Sequence, residues 1–175
     1  MKINILYFYF LIIFYSFNLY ATNIRVVDLE KMIQNNNSYI LLYSQIESDQ
    51  KKYTNKFNEK ETELSSELDK IEKLKLILNE SELDKEINNY NELLNNFNFE
   101  IKKFNTHYEK QINKLKNVIV NEILKILKKY SLDNQIDLIL DSNHYILSNN
   151  SINITDFILE ELNKLNIETD FERYK

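Results

Sequence analysis

The chain of 175 residues contains no glycine, proline or cysteine. Without glycine, it cannot form the glycine-rich loops that bring backbone amides close to phosphates in P-loop and dinucleotide-binding proteins. Without cysteine, it has no disulfide, no thiol nucleophile and no thiolate zinc site. These absences exclude several classes of enzyme, and we expect the protein to bind no nucleotide, cofactor or metal ion.

The remaining polar residues do not form a pattern typical of catalysis. His107 and His144 are the only histidines, and neither has clustered partner ligands in the sequence. Asp137 and Asp141 would share one face of a predicted strand, but their backbones would lie roughly 13 Å apart, too far for paired carboxylate chemistry. We therefore predict that the protein is not an enzyme.

The first 21 residues differ in composition from the rest of the chain. Lys2 is the only charged residue before Arg25, an apolar run extends over residues 5–17, and the small residue Ala21 follows. A positive start, an apolar core and a small residue are typical of a cleavable signal peptide. The alternative is an uncleaved anchor, but the run is shorter than the roughly 20 residues of a spanning helix. We predict that residues 1–21 are a signal peptide.

Two long segments carry the heptad-like apolar pattern of a coiled coil. The first runs from about residue 38, with Ser38 as its predicted N-cap, to residue 78, and the second runs from residue 83 to 130. In the second segment, apolar residues recur at alternating steps of four and three: Leu83, Ile87, Tyr90, Leu94, Phe97, Ile101, Phe104 and Tyr108. Between the segments, Asn79 is predicted to close the first helix in the left-handed conformation, and Ser81 to cap the second.

The two segments also fit each other as an antiparallel hairpin. A single register with a fixed tip aligns apolar positions of the first segment with apolar positions of the second. It pairs the following residues across the seam: Leu64 with Phe97, Phe57 with Phe104, and Tyr53 with Tyr108. This match favours a hairpin in which the two helices pack against each other within one chain, rather than two helices that each pair with a helix of another chain.

The two ends of the chain carry a different pattern. Residues 23–29 predict a short strand, which one or two turns of helix follow. Residues 136–140 and 145–147 predict two strands joined by a turn, and Thr155 is predicted to cap a final amphipathic helix. The last ten residues are polar and acidic, and we expect them to fray.

These elements predict an α+β, mostly helical fold. A long antiparallel coiled-coil hairpin (a tentacle) over residues 38–131 projects from a small β-rich head, which residues 22–37 and 132–175 form. So small a head is marginal as an isolated core, and association through its strands would supply the missing burial. The candidate residues for a trimer interface are apolar strand positions: Val26, Val27, Leu29, Leu138 and Leu140.

Short motifs on either side of the hairpin point to a family. Residues 24–29 read IRVVDL, and residues 136–141 read IDLILD, which is similar to an I-D-L-V-V-D strand of the Skp/OmpH family. Residues 148–149 and 154–156 resemble further segments of the same family, and the resemblance extends over essentially the whole mature chain. It implies a homotrimeric, ATP-independent holdase chaperone of the periplasm, whose helical tentacles surround unfolded outer-membrane proteins.

The charge distribution departs from the basic tentacle tips of that family. Residues 59–100 carry 5 Lys against 12 Asp or Glu, a net charge of −7, whereas residues 38–58 and 101–131 together carry a net charge of +7. The predicted hairpin is therefore acidic at its tip and basic at its root. Because like charges repel within a Debye length, we do not expect the tip to contact anionic lipid or lipopolysaccharide. Because the chain is acidic and predicted to be secreted, we expect no nucleic-acid partner.

A holdase needs exposed apolar residues that the hairpin seam does not use. Non-directional apolar contacts tolerate many clients, and lysines at the root would attract acidic ones. The candidate client-binding residues are Leu76, Ile77, Leu93, Phe99, Lys102, Lys103, Lys110 and Lys114. Single exposed apolar side chains are also common on ordinary protein surfaces. The alternative function is therefore an exported or membrane-anchored coiled-coil structural spacer, which needs only the seam.

Overall fold

The structure, a computed structural model, describes residues 22–175, and the predicted signal peptide lies outside the described residues. Two 3-10 helices, Ser142–His144 and Asn150–Ile152, lie between the last strand and the last helix. No helix within the described range is long and apolar enough to cross a membrane. The strands and α-helices follow in this order: β1 (Ile24–Val27), α1 (Leu29–Gln34), α2 (Asn37–Leu74), α3 (Glu80–Asp133), β2 (Leu138–Asp141) and α4 (Thr155–Asn163).

Asparagine side chains begin both long helices. The Asn36 side chain accepts a hydrogen bond from the Ser38 amide at 3.1 Å, so Asn36 is the cap and the prediction of Ser38 was wrong. The Asn79 side chain accepts from the Glu82 amide at 3.0 Å while the Glu82 carboxylate accepts from the Asn79 amide, which forms a capping box. Asn79 therefore begins α3 with φ −74° and does not close α2 in the left-handed conformation, and Ser81 is not the cap.

The two long helices pack side by side and run in opposite directions. Helix α2 has 38 residues and α3 has 54, so α3 is about 80 Å long. Their contacts join residues progressively closer to the tip: Asp49 with Tyr108, Phe57 with Phe104, and Lys60 with Glu100. The rings of Phe57 and Phe104, which the sequence pairs across the seam, have centroids 5.1 Å apart in an edge-to-face arrangement.

The sheet consists of β1 and β2 in parallel, with Ile24 opposite Leu138. On the other side of β1, the Ile154 amide donates to the Val26 carbonyl at 3.0 Å. The central position of β1 explains why Val26 is almost completely buried. Parallel strands need a long connection, and the complete helical hairpin provides it.

The second strand predicted after the hairpin, at residues 145–147, does not form. The Asp141 carboxylate accepts hydrogen bonds from the Asn143 and Leu29 amides, and the chain turns into the 3-10 helix at Ser142–His144. Beyond that turn, Ile146 is fully exposed. The prediction of a β-hairpin was wrong because a capping carboxylate at the end of β2 redirects the chain away from the sheet.

The hydrophobic core lies where the root of α3 meets the chain ends. Buried side chains of α1, α3 and α4 share one cluster, which includes Met32, Ile33, Leu115, Ile119, Ile123, Ile158 and Leu162. Helix α3 thus supplies burial that the chain ends lack by themselves. The head and the root of the hairpin consequently form one packed unit.

Residues 166–175, which we call the C-terminal tail, pack along the root of the hairpin. Ile167 is buried, and its carbonyl accepts a hydrogen bond from the Ser38 hydroxyl at 2.7 Å. The Tyr174 ring lies 5.5 Å from the ring of Tyr53 and 5.2 Å from that of Phe104. The expectation of a frayed terminus was therefore wrong, because apolar residues within the acidic segment find partners on the hairpin.

Candidate client-binding surface

Two of the candidate residues lie at the tip of the hairpin. Helix α2 ends at Leu74, whose carbonyl accepts hydrogen bonds from the Ile77 and Leu78 amides at 2.9 Å each. This tight turn leaves Leu76 and Ile77 at 90% and 80% exposure. Within the single chain, both side chains are therefore free to contact another molecule.

A second apolar site lies between the helices near the tip. Leu93 is 53% exposed and lines a groove of about 640 Å³ together with the seam residues Leu64 and Phe97. An ion pair between Lys60 and Glu100 lies in the same groove, and the hydrogen bond from Lys60 holds the pKa of Glu100 below its ordinary value. The groove therefore combines a small apolar floor with the Lys60–Glu100 ion pair.

The remaining candidates on α3 come together at the root. Phe99, Lys102, Lys103 and Lys110 line one groove of about 480 Å³, which we call the root groove. The Lys103 ammonium lies 4.5 Å from the centroid of the Phe99 ring, in the range of a cation–π contact. The structure thus unites an aromatic ring and three lysines that are spread over 12 positions of the sequence.

The C-terminal tail forms one end of the root groove. Glu172 and Tyr174 line it beside His107 and Gln111 of α3. None of these four residues was a candidate from the sequence. Two signals could have revealed them: Ile167, Phe171 and Tyr174 recur at steps of four and three, and the acidic tail complements the basic root.

Lys114, the last lysine candidate, already has a partner in the tail. Its ammonium lies 2.7 Å from the Asp170 carboxylate, and both side chains are largely exposed. The hydrogen bond raises the pKa of Lys114 and lowers the pKa of Asp170. The charge of Lys114 is thus neutralised locally while the tail is in place.

The candidate interface residues differ in how much surface they leave for a partner chain. Val26 and Val27 are only 2% exposed within a single chain. Leu29 and Leu140 are partly buried, whereas Leu138 at the start of β2 is 44% exposed. Among these five positions, Leu138 offers the most surface for an interface between subunits.

A buried polar pair fixes the seam next to the root groove. The Tyr108 hydroxyl donates to the Asp49 carboxylate at 2.5 Å, and both side chains are buried. Burial and the hydrogen bond to Asp49 raise the pKa of Tyr108 to about 12. The pair joins α2 to α3 across the seam. Within residues 22–175, no cluster of three or more potential metal ligands occurs.

Comparison with known proteins establishes the family. The family model described as outer membrane protein (OmpH-like) matches residues 23–162, and the chain therefore belongs to the Skp/OmpH family. The crystal structure of a proposed OmpH-like outer membrane chaperone from Caulobacter crescentus CB15 is similar, with a TM-score of 0.63 and 12% identity over 89% of this chain and 92% of that chain. At this identity the likeness establishes the fold alone. No curated protein matches the sequence significantly.

The Tyr108–Asp49 pair predicts a loss of stability at alkaline pH. Because folding raises the pKa of Tyr108 from an ordinary value of about 10 to about 12, its stabilising contribution is complete below pH 10 and disappears as pH approaches 12. When thermal unfolding is measured from pH 8 to 12, Tm should decrease less for the Tyr108→Phe variant than for the parent protein. At neutral pH it should be less stable by about 1–3 kcal/mol, because the buried Asp49 carboxylate loses a donor.

Tyr43→Phe is the matched control for this measurement. Tyr43 is 51% exposed, so its substitution should leave both the neutral Tm and the alkaline slope close to those of the parent protein. Equal slopes for the parent protein and Tyr108→Phe would contradict the assignment of the alkaline transition to Tyr108.

Proposed function

We propose that the protein is an ATP-independent holdase chaperone of the periplasm that binds unfolded outer-membrane proteins and prevents their aggregation. One observation carries this proposal: the hairpin has eight large apolar side chains that are more than half exposed. Four of them are the candidates at the tip and in the grooves: Leu76, Ile77, Leu93 and Phe99. Membership in the OmpH-like family supports the same function.

The distribution of these residues suits a client without a fixed structure. They lie at the tip, in the groove between the helices and in the root groove, so one extended chain could contact several of them. Apolar burial is non-directional and contributes free energy roughly in proportion to area. A set of separate weak contacts therefore holds many sequences without selecting one conformation. A protein that serves only as a structural spacer would not need these exposed apolar side chains.

The charge polarity of the hairpin determines where an acidic client is attracted. Lys102, Lys103 and Lys110 line the root groove, whereas residues 59–100 carry a net charge of −7. Electrostatic attraction mainly accelerates association and weakens with salt. Capture therefore begins at the root, and the apolar contacts set the affinity that remains at high salt.

Assembly into a homotrimer would place several hairpins around a shared space. Leu138 is the most exposed of the apolar strand positions, and Val26 is buried beside β2, so the proposed interface lies on the outer side of β2. Secretion to the periplasm rests on the sequence of residues 1–21 and on the family. The partners in this proposal are two further copies of the chain and the unfolded client, with no nucleotide.

The proposal predicts that the exposed apolar residues of the hairpin are needed for activity. The four changes Leu76→Ser, Ile77→Ser, Leu93→Ser and Phe99→Ser should raise the amount of protein that half-suppresses aggregation of an unfolded β-barrel protein at least about tenfold. Each lost apolar contact removes up to about 1.5–3 kcal/mol. The assay follows light scattering without nucleotide after dilution of the client from denaturant.

The control variant carries the same exchange at exposed apolar positions of the head: Leu132, Ile146, Leu147 and Leu165. It should suppress aggregation as well as the parent protein does. Failure of the parent protein to suppress aggregation at any ratio would reject the holdase and favour the spacer. Equal losses in both variants would reject the hairpin as the client-binding surface.

The proposed trimer predicts a specific effect at Leu138. Leu138→Asp places an unpaired charge at the proposed interface, where burial would cost several kcal/mol, while the fold of the single chain tolerates it because the side chain is 44% exposed. Sedimentation at micromolar concentration should show a trimer for the parent protein and a folded monomer for the variant. Ile146→Asp, at a fully exposed position, should remain a trimer. A folded monomeric parent protein would contradict the proposal.

A further inference from the structure

We propose that the root groove binds an extended polypeptide segment that carries an aromatic residue four positions after an acidic one, and that the C-terminal tail occupies part of this groove as a built-in competitor. This inference rests on the proposed function and deepens it, because it names the kind of client segment and the element that regulates access. The family match ends at residue 162, so the tail lies beyond it.

Recognition of the tail begins with its backbone. The Gln111 side chain accepts a hydrogen bond from the Glu172 amide at 2.8 Å and donates to the Glu172 carbonyl at 2.9 Å. His107 Nε2 lies 2.7 Å from the same carbonyl. One side-chain amide thus pairs with both backbone groups of one residue, as a neighbouring strand would. Every extended segment presents these two groups, so this contact suits an unfolded client of any sequence.

An aromatic site next to Gln111 supplies a preference among side chains. The Tyr174 ring contacts Tyr53, Phe104 and His107 with centroid distances of 5.2 to 5.6 Å. Tyr53 also donates its hydroxyl proton to the Tyr174 carbonyl at 2.6 Å. An aromatic residue two positions after the backbone contact therefore fits this site by ring packing as well as by hydrogen bonding.

The lysines of the root supply a preference for acidic residues. Asp170 of the tail pairs with Lys114. Lys102 and Lys103 line the root groove on the tip side of the contacts that Tyr174 makes with Phe104 and His107, next to Phe99. Glu172 and Tyr174 are the tail residues that line the root groove, and around Phe99 its lining residues belong to α3 alone. A client segment that extends to Phe99 would place acidic and aromatic side chains beside these lysines and this ring.

The competition has a measurable consequence. If the tail occupies the groove for roughly nine-tenths of the time, the groove binds an external segment about tenfold more weakly than it would without the tail. Tethering favours such occupancy, because a segment on a short linker has an effective concentration in the millimolar range. Release of the tail should therefore increase the affinity for an external segment without any change in the groove itself.

The test uses a fluorescent peptide with the sequence of residues 166–175 and the full-length protein. The double variant Asp170→Asn/Tyr174→Ser removes the ion pair and the ring of the tail while all residues of the hairpin stay intact. Fluorescence anisotropy should show that the peptide binds this variant about tenfold more tightly than it binds the parent protein. Adding Gln111→Leu to the double variant should abolish the gain, because both backbone hydrogen bonds disappear.

Two controls separate this effect from non-specific binding. Glu168→Gln/Arg173→Gln changes tail residues that make no hydrogen bond or ion pair with residues 22–175, and should bind the peptide as the parent protein does. A scrambled peptide of the same composition should bind the double variant at least about fivefold more weakly than the tail sequence does. Equal peptide affinity of the parent protein and the double variant, or equal binding of both peptides, overturns the proposal.

The outcome remains decisive if the double variant loses helical structure. Asp170→Asn by itself breaks one exposed ion pair, so it should keep the fold and strengthen peptide binding by about twofold. No increase in this variant would also overturn the proposal. The peptide measurement contains no client: peptide binding without suppression of aggregation would reject the holdase alone, and suppression without a difference between peptides would reject this inference alone.

Discussion

The apolar stripe along α3 is the constraint on which the rest of the structure depends. A single helix of 54 residues cannot bury such a stripe by itself, and each part of it has a different covering element. Helix α2 covers the stripe between tip and root, α1 and α4 cover Ile119 and Ile123, and the C-terminal tail covers the aromatic cluster around Phe104. The arrangement of the other elements thus follows from the need to cover the apolar stripe of α3.

Incomplete covering of α3 connects the fold with the proposed function. Side chains inside the seam stabilise the hairpin, whereas Leu93 and Phe99 lie outside the seam and remain exposed. The buried Tyr108–Asp49 pair fixes the two helices against each other near the root, because a shifted register would separate the hydroxyl from its carboxylate. A rigid hairpin can thus present apolar side chains without collapsing onto them.

The sequence predicts the helices well, since their heptad pattern extends over many turns. It also predicts β1, α1 and the direct contact of Phe57 with Phe104. It fails where a single polar side chain decides the path of the backbone: Asn79 caps α3, and Asp141 ends β2. The packing of the tail was missed because its apolar residues are few and their partners lie about 60 positions away, at Gln111 and His107. The local spacing of apolar residues does not predict such distant contacts. The opposite charges of the tail and the root do indicate them.

Site-specific photo-crosslinking tests the central claim most directly, namely that exposed apolar positions of the hairpin contact the unfolded client. A photoreactive residue placed at position 93 or 99 should form adducts with an unfolded β-barrel protein without nucleotide, and folding of the client should abolish them. The same residue at position 146 on the head, which is more exposed than either hairpin position, should form few adducts. Adducts predominantly at position 146, or none at 93 and 99, would contradict the account.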